Sequence, residues 1–145
     1  MKLYFDTSVL VASAVKGHVH HAPAHSALER LLRDKHRGYV SAHGLAEIYA
    51  VLTRAPFVPP VYPSEAWQIL EQNILPHFTL VELPSKDYVG LVKECAAQGW
   101  TGGRIYDLLQ LACAQKASCE RIYTFNLQHF RELAPPSLEE KIHAP

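Results

Sequence analysis

The chain has 145 residues, of which 48% are hydrophobic and 19% charged, enough apolar material for the core of one domain and too little charge for a disordered chain. Lys plus Arg and Asp plus Glu number 14 each, so the formal net charge is zero, which excludes gripping nucleic acid or an anionic membrane by bulk charge and leaves only local basic patches. With nine histidines, protonation near neutrality sets the sign of the net charge.

In chain order, Leu3-Tyr4-Phe5 reads as a buried strand, Asp6-Thr7-Ser8 as a capping turn, and Val9 to Val15 as an apolar helix. The charge at Asp6 comes before any signal-peptide apolar segment, and no apolar run approaches a membrane span, so a cytoplasmic chain is expected. The run from His18 to His25 has no Cys and lacks regular helical spacing apart from His21 and His25, so a solvated loop is expected rather than a zinc site. Pro23 suits the first turn of a helix in which Ala24, Ala27, Leu28, Leu31 and Leu32 repeat at helical spacing. The basic stretch Arg30, Arg33, Lys35, His36 and Arg37 closes that helix, either complementing its C-terminus or contacting RNA phosphate.

Gly38-Tyr39-Val40 gives the second strand and Leu45 to Arg54 the next helix. Ala55 to Pro63, with four prolines and four large apolar residues, reads as a stiff loop packed on something. Ser64 is expected to cap a helix from Glu65 to Leu75, stopped by Pro76. Thr79 to Leu83 is the third strand, Ser85-Lys86-Asp87 opens a helix to Gly99, and Gly102-Gly103 precedes a helix from Arg104 to Ala117. Arg121 to Phe125 is the fourth strand, and residues 131–145 form a C-terminal tail. Cys95, Cys113 and Cys119 form no C-x-x-C pair and read as buried, idle thiols.

This rhythm predicts a single α/β domain over residues 1–145, with a central, mostly parallel sheet of four to five strands and helices on both faces. Such sheets place their sites at the carboxyl ends of the strands. Asp6 follows the first strand, Glu47 lies early in the helix after the second, Asp107 lies in the first turn after Gly102-Gly103, and Asn126 follows the fourth strand. Asp107 and Glu47 are set in largely apolar helices, where a carboxylate needs a partner, and no adjacent Lys serves Asp107. Oxygen-only ligands at this level suit Mg²⁺ or Mn²⁺. Taken alone, Asp6 and Ser8 are equally well read as helix-capping residues. Trp100, Tyr49 and Tyr106 lie near the acids in sequence and read either as base-stacking groups or as packing.

Four segments in order carry a resemblance. They are Asp6-Thr7-Ser8, Glu47 in Ala-Glu-Ile-Tyr-Ala-Val-Leu-Thr, Tyr106-Asp107 in Gly-Gly-Arg-Ile-Tyr-Asp-Leu-Leu-Gln-Leu-Ala, and Tyr123-Thr124-Phe125-Asn126-Leu127-Gln128-His129-Phe130. From Leu3 to Phe130 the chain resembles the PIN-domain ribonucleases, and most closely the VapC-type toxins of toxin–antitoxin pairs. The resemblance implies a PIN domain and a Mg²⁺-dependent endoribonuclease, with Mn²⁺ as a possible substitute. It implies Asp6, Glu47, Asp107 and Asn126 as catalytic residues, with Asp6 and Asp107 as the direct metal ligands. The last motif has Asn126 where the family often has an acid, and His129, three residues on, reads as a cap or packing residue. Further implications are an RNA substrate, a homodimer and a small cognate antitoxin laying an apolar or basic segment across the acidic groove; the apolar residues around Tyr49 to Tyr62 are the candidate dimer interface.

Three alternatives stand beside it. One keeps the fold as an RNA-processing nuclease without an antitoxin, and another makes it an inactive RNA- or protein-binding module, motivated by Asn126 and His129. The third is a phosphoryl-accepting module at Asp6, against which stand Ser8, where a second acid is wanted, and the lack of a Lys by the fourth strand.

Overall fold

The computed structural model describes residues 1–145. β1 (Lys2–Phe5) is followed by α1 (Thr7–Ala14) and α2 (His21–Arg33), then β2 (Arg37–Ser41) and α3 (Ala42–Arg54). After the proline-rich segment come α4 (Pro63–Ile69), continued by a π-helical turn over Leu70–Ile74, and β3 (Phe78–Val81). α5 (Ser85–Gln98), α6 (Arg104–Lys116), β4 (Arg121–Tyr123), α7 (Leu127–Leu133), α8 (Pro136–Glu139) and β5 (Ile142–His143) complete the chain.

The five strands form one sheet in the order β3-β2-β1-β4-β5, and every pairing is parallel. Alternation along β1 sorts the core into two layers, because successive strand side chains point to opposite faces. Leu3 and Phe5 join the apolar side chains of α1 to α4 on one face, whereas Tyr4 joins those of α5 to α8 on the other. α1 is buried nearly all round, as its apolar sequence requires, so the first turn after β1 lies deep in the molecule.

The structure revises several element boundaries. α3 begins at Ala42, not Leu45, because the Ser41 hydroxyl accepts the Gly44 N–H at 2.7 Å and so caps the helix earlier. Ser64 does not cap α4: Pro63 holds the first helical position and the Glu65 carboxylate accepts the Tyr62 N–H at 3.4 Å. Residues 131–145, expected as a tail, carry the end of α7, all of α8 and the edge strand β5, with Leu138 and Ile142 buried against the second face. Phe57 and Val61 of the proline-rich segment pack on the first core, while Val58 and Tyr62 face solvent. The cysteines are free and buried, and burial pushes the Cys113 thiol up to about 11 and that of Cys119 to about 12, so both stay protonated. No helix is long and apolar enough to cross a membrane.

Candidate active site

Asp6 stands where β1 hands over to α1, and its N–H donates to the Tyr123 carbonyl at 2.9 Å, continuing the β1–β4 ladder by one residue. Its side chain does not cap α1. The carboxylate accepts three side-chain hydrogen bonds instead: Gln110 Nε2 donates to Oδ1 at 2.6 Å, and Ser8 Oγ and Thr124 Oγ1 donate to Oδ2 at 2.7 and 2.8 Å. The capping alternative for Asp6 therefore falls, and Ser8 is a partner of the acid. Burial pushes the Asp6 carboxyl above its ordinary range, and the three donors work against that shift by favouring the ionised form.

Gln110 is not among the residues the sequence points to, although it is the one buried polar residue in the apolar run of α6, three positions after Asp107 and so on the same helical face. Its amide orientation follows from the chain of donors behind it. The Ser41 N–H donates to the Tyr4 hydroxyl at 3.1 Å, and that hydroxyl donates to Gln110 Oε1 at 3.2 Å, which leaves the NH₂ facing Asp6. A backbone group at the cap of α3 thus sets the polarity of a relay that ends on the Asp6 carboxylate. Thr124, in the fourth motif, is fully buried, and its hydroxyl both donates to Asp6 and accepts the Asn126 N–H at 3.0 Å.

Glu47 reaches the same cavity from the second turn of α3. Its Oε2 is buried without a hydrogen-bond partner, the nearest basic group being His43 Nε2 at 3.6 Å. Burial, reinforced by the charge of Asp6, raises its carboxyl above the ordinary range. Asp107 enters from the first turn of α6 with its side chain 17% exposed. Burial first, then the charges of Asp6 and Glu47, push its carboxyl up to about 6, while His129 pulls the other way. Asn126 follows β4 at the start of α7, exposed and making no side-chain cap. Asp6, Glu47, Asp107 and Asn126 all line one cavity of about 420 Å³, with no Lys or Arg in its wall.

Some groups near this cavity differ from expectation. His129 neither caps nor packs: it is exposed, with Nδ1 3.9 Å from Asp107 Oδ2. The histidine run is not simply a solvated loop, since His18 and His20 line the acid cavity and His20 stacks on Phe125. Trp100 packs at the edge of the second core instead of beside the acids. Tyr106 is half-exposed and stacked on His43, beside Glu47 and outside the cavity wall. Arg30, Arg33, Lys35 and Arg37 lie where α2 leads into the start of β2, the opposite end of the sheet from the acids, and Arg33 is engaged with Asp34 at 2.9 Å. That position removes the basic stretch from phosphate contact within the acid cavity.

The donor set fits a hard divalent cation. Three carboxylates share a cavity without Lys or Arg, each is destabilised as an anion, and one Glu47 oxygen is buried without a partner. No three of the side chains converge closely enough to grip an ion unaided. This spacing matches an ion that takes one or two carboxylates and keeps several waters, the habit of Mg²⁺. On Asp6, both Oδ2 lone pairs are engaged, so Oδ1 alone retains capacity.

A family model described as PIN domain matches residues 3–134. Ribonuclease VapC40 of Mycobacterium tuberculosis is 32% identical over 123 residues, covering 85% of each chain. Two solved structures share the fold. The crystal structure of Mycobacterium tuberculosis VapC20, a Sarcin-Ricin loop cleaving toxin, superposes with a TM-score of 0.68 at 16% identity, over 88% of this chain and 92% of that one. The structure of VapBC2 from Rickettsia felis, bound to a DNA fragment from their promoter, superposes with a TM-score of 0.69 at 20% identity, over 99% and 98%.

Proposed function

Because this chain belongs to the PIN-domain family, we propose that it is a VapC-type endoribonuclease, the toxin of a toxin–antitoxin pair, hydrolysing RNA phosphodiester bonds with Mg²⁺ or Mn²⁺. The observation that carries the reading is the meeting of Asp6, Glu47 and Asp107, from three separate elements, in one cavity without Lys or Arg. Its similarity to a relative named as a ribonuclease supports the same activity.

Asp6, through Oδ1, and Asp107 would hold the ion, which when bound polarises the phosphate and lowers the pKa of water. The rest falls to the chain itself. Gln110, Ser8 and Thr124 fix the Asp6 carboxylate so that it needs no reorganisation when substrate arrives. Glu47, whose carboxyl lines the cavity, accepts a proton from the attacking water, and the raised affinity of that carboxyl for protons suits a general base. Asn126, with no cap to make, orients a water or a phosphate oxygen through its amide.

On this reading the protein acts in the cytoplasm as a homodimer, with the exposed apolar surface from Tyr49 to Tyr62 at the interface. A small cognate antitoxin silences it by laying a segment across the acid groove.

Purified chain incubated with total RNA and Mg²⁺ or Mn²⁺ should give discrete fragments, and these should disappear with EDTA and in the Asp107→Asn variant. Folded protein that cuts no RNA with either metal contradicts the reading and favours a binding module.

A further inference from the structure

Two stacked pairs of aromatic rings flank Asp6, and nothing in the proposed hydrolysis uses them. His20 lies on Phe125 with ring centroids 4.4 Å apart and planes 17° from parallel, and both residues line the acid cavity. His43 lies on Tyr106 with centroids 5.1 Å apart and planes 8° from parallel. This second pair stands outside the cavity wall but adjoins the other acids: His43 Nε2 is 3.6 Å from Glu47 Oε2, and Tyr106 precedes Asp107 in the chain.

The topology places the pairs on opposite sides of Asp6. In the strand order, β1 lies between β2 and β4; His43 follows β2, and Phe125 follows β4. Two strand spacings separate those positions, about 10 Å. Of these rings only Phe125 packs, partly buried, against the first core. His20 is exposed, and Tyr106, at 48% exposure, keeps accessible surface beyond the face it shares with His43.

An anionic strand entering this cavity finds no Lys or Arg in the wall, so beyond the ion held by the acids no cationic side chain attracts it there. Flat, partly exposed rings offer base stacking, which is indifferent to base identity. We propose that His20–Phe125 and His43–Tyr106 are two base-stacking subsites, one for the nucleotide on each side of the phosphate presented to the acids. This rests on the nuclease reading of the acid cavity. Bases stacked in a helical strand stand about 3.4 Å apart, so a strand engages both platforms only when its two neighbouring bases are splayed away from each other. The pairs thereby favour an unpaired, distorted strand while reading no sequence.

The test uses the full chain carrying Asp107→Asn, so that the strand stays intact, and a single-stranded RNA octamer with 2-aminopurine on either side of its central phosphate. Binding should quench 2-aminopurine emission at both positions. Adding Tyr106→Ala should abolish quenching at one position and weaken binding about 5- to 150-fold, adding His20→Ala should do so at the other, and Tyr106→Phe should retain both signals. Unchanged affinity and quenching in both alanine variants, with their melting unaltered, overturns the proposal. Cleavage of total RNA by the parent chain with Mg²⁺ or Mn²⁺ is scored separately. Cleavage without quenching rejects the platforms and leaves the nuclease, whereas quenching without cleavage keeps the platforms and rejects the nuclease.

Discussion

Asp107 has a carboxyl pushed up to about 6 from an ordinary 3.8 by burial and by the charges of Asp6 and Glu47. The folded chain therefore binds this proton more tightly than the unfolded chain does, and stability falls as pH rises through the window from about 4 to about 6. What is lost there stays lost at neutral pH. Asp107→Asn removes the group that must ionise, so in EDTA at pH 7 the variant should resist urea better than the parent, by about 1 kcal/mol once solvent screening of a partly exposed group is allowed for. The advantage should shrink toward pH 4; a variant less stable than the parent at pH 7 would contradict this electrostatic account. Gln110 makes the opposite kind of contribution, because its amide serves both Asp6 and Tyr4. Gln110→Leu strands two buried groups and should cost about 1–3 kcal/mol in urea unfolding. Adding Tyr4→Phe should cost less than the sum of the two single changes, since they remove members of one relay. The relay escaped sequence reading because Gln110 and Asp6 are 104 positions apart, and no local pattern reports such a contact.

Elements with strong periodic or punctuation signals were legible, and those without were not. The continuous apolar run Leu3-Tyr4-Phe5 marked a buried strand, and the glycine pair before Arg104 marked the start of α6. Likewise α5 ends where expected, at Gly99, whose φ of +72° is the left-handed conformation that glycine adopts without a Cβ clash. β5, by contrast, is only two residues long, and two residues carry no periodicity. Its identity comes from pairing, Ile122 with Ile142 and Tyr123 with His143, which extends the sheet beyond β4. Ile142 is buried at 1% exposure among the side chains of the second face, so the edge strand contributes to the core as well as to the ladder. Ile142→Ala should destabilise the chain by about 2–5 kcal/mol in urea unfolding, a loss that a loosely attached tail would not produce.

Across the whole molecule, a net charge of zero conceals a separation of charge along the strands. The acids gather at the carboxyl ends, and the Arg30 to Arg37 stretch gathers at the amino ends. The acid set was legible because parallel strands must all end on one side, so residues following successive strands share a level whatever their distance in sequence. Of the rings beside those acids, Tyr106 was legible from its place next to Asp107, whereas His18, His20 and His43 were not, since they reach the site through loop and helix geometry that composition does not encode. The central claim is that three carboxylates, each destabilised as an anion, are arranged for a divalent cation. Electron paramagnetic resonance of free Mn²⁺ during titration of the chain at pH 7 tests it most directly. The account predicts saturable loss of the free Mn²⁺ signal with the parent chain and a much weaker loss with Asp107→Asn. Binding curves that coincide for the two proteins, both folded, would contradict it.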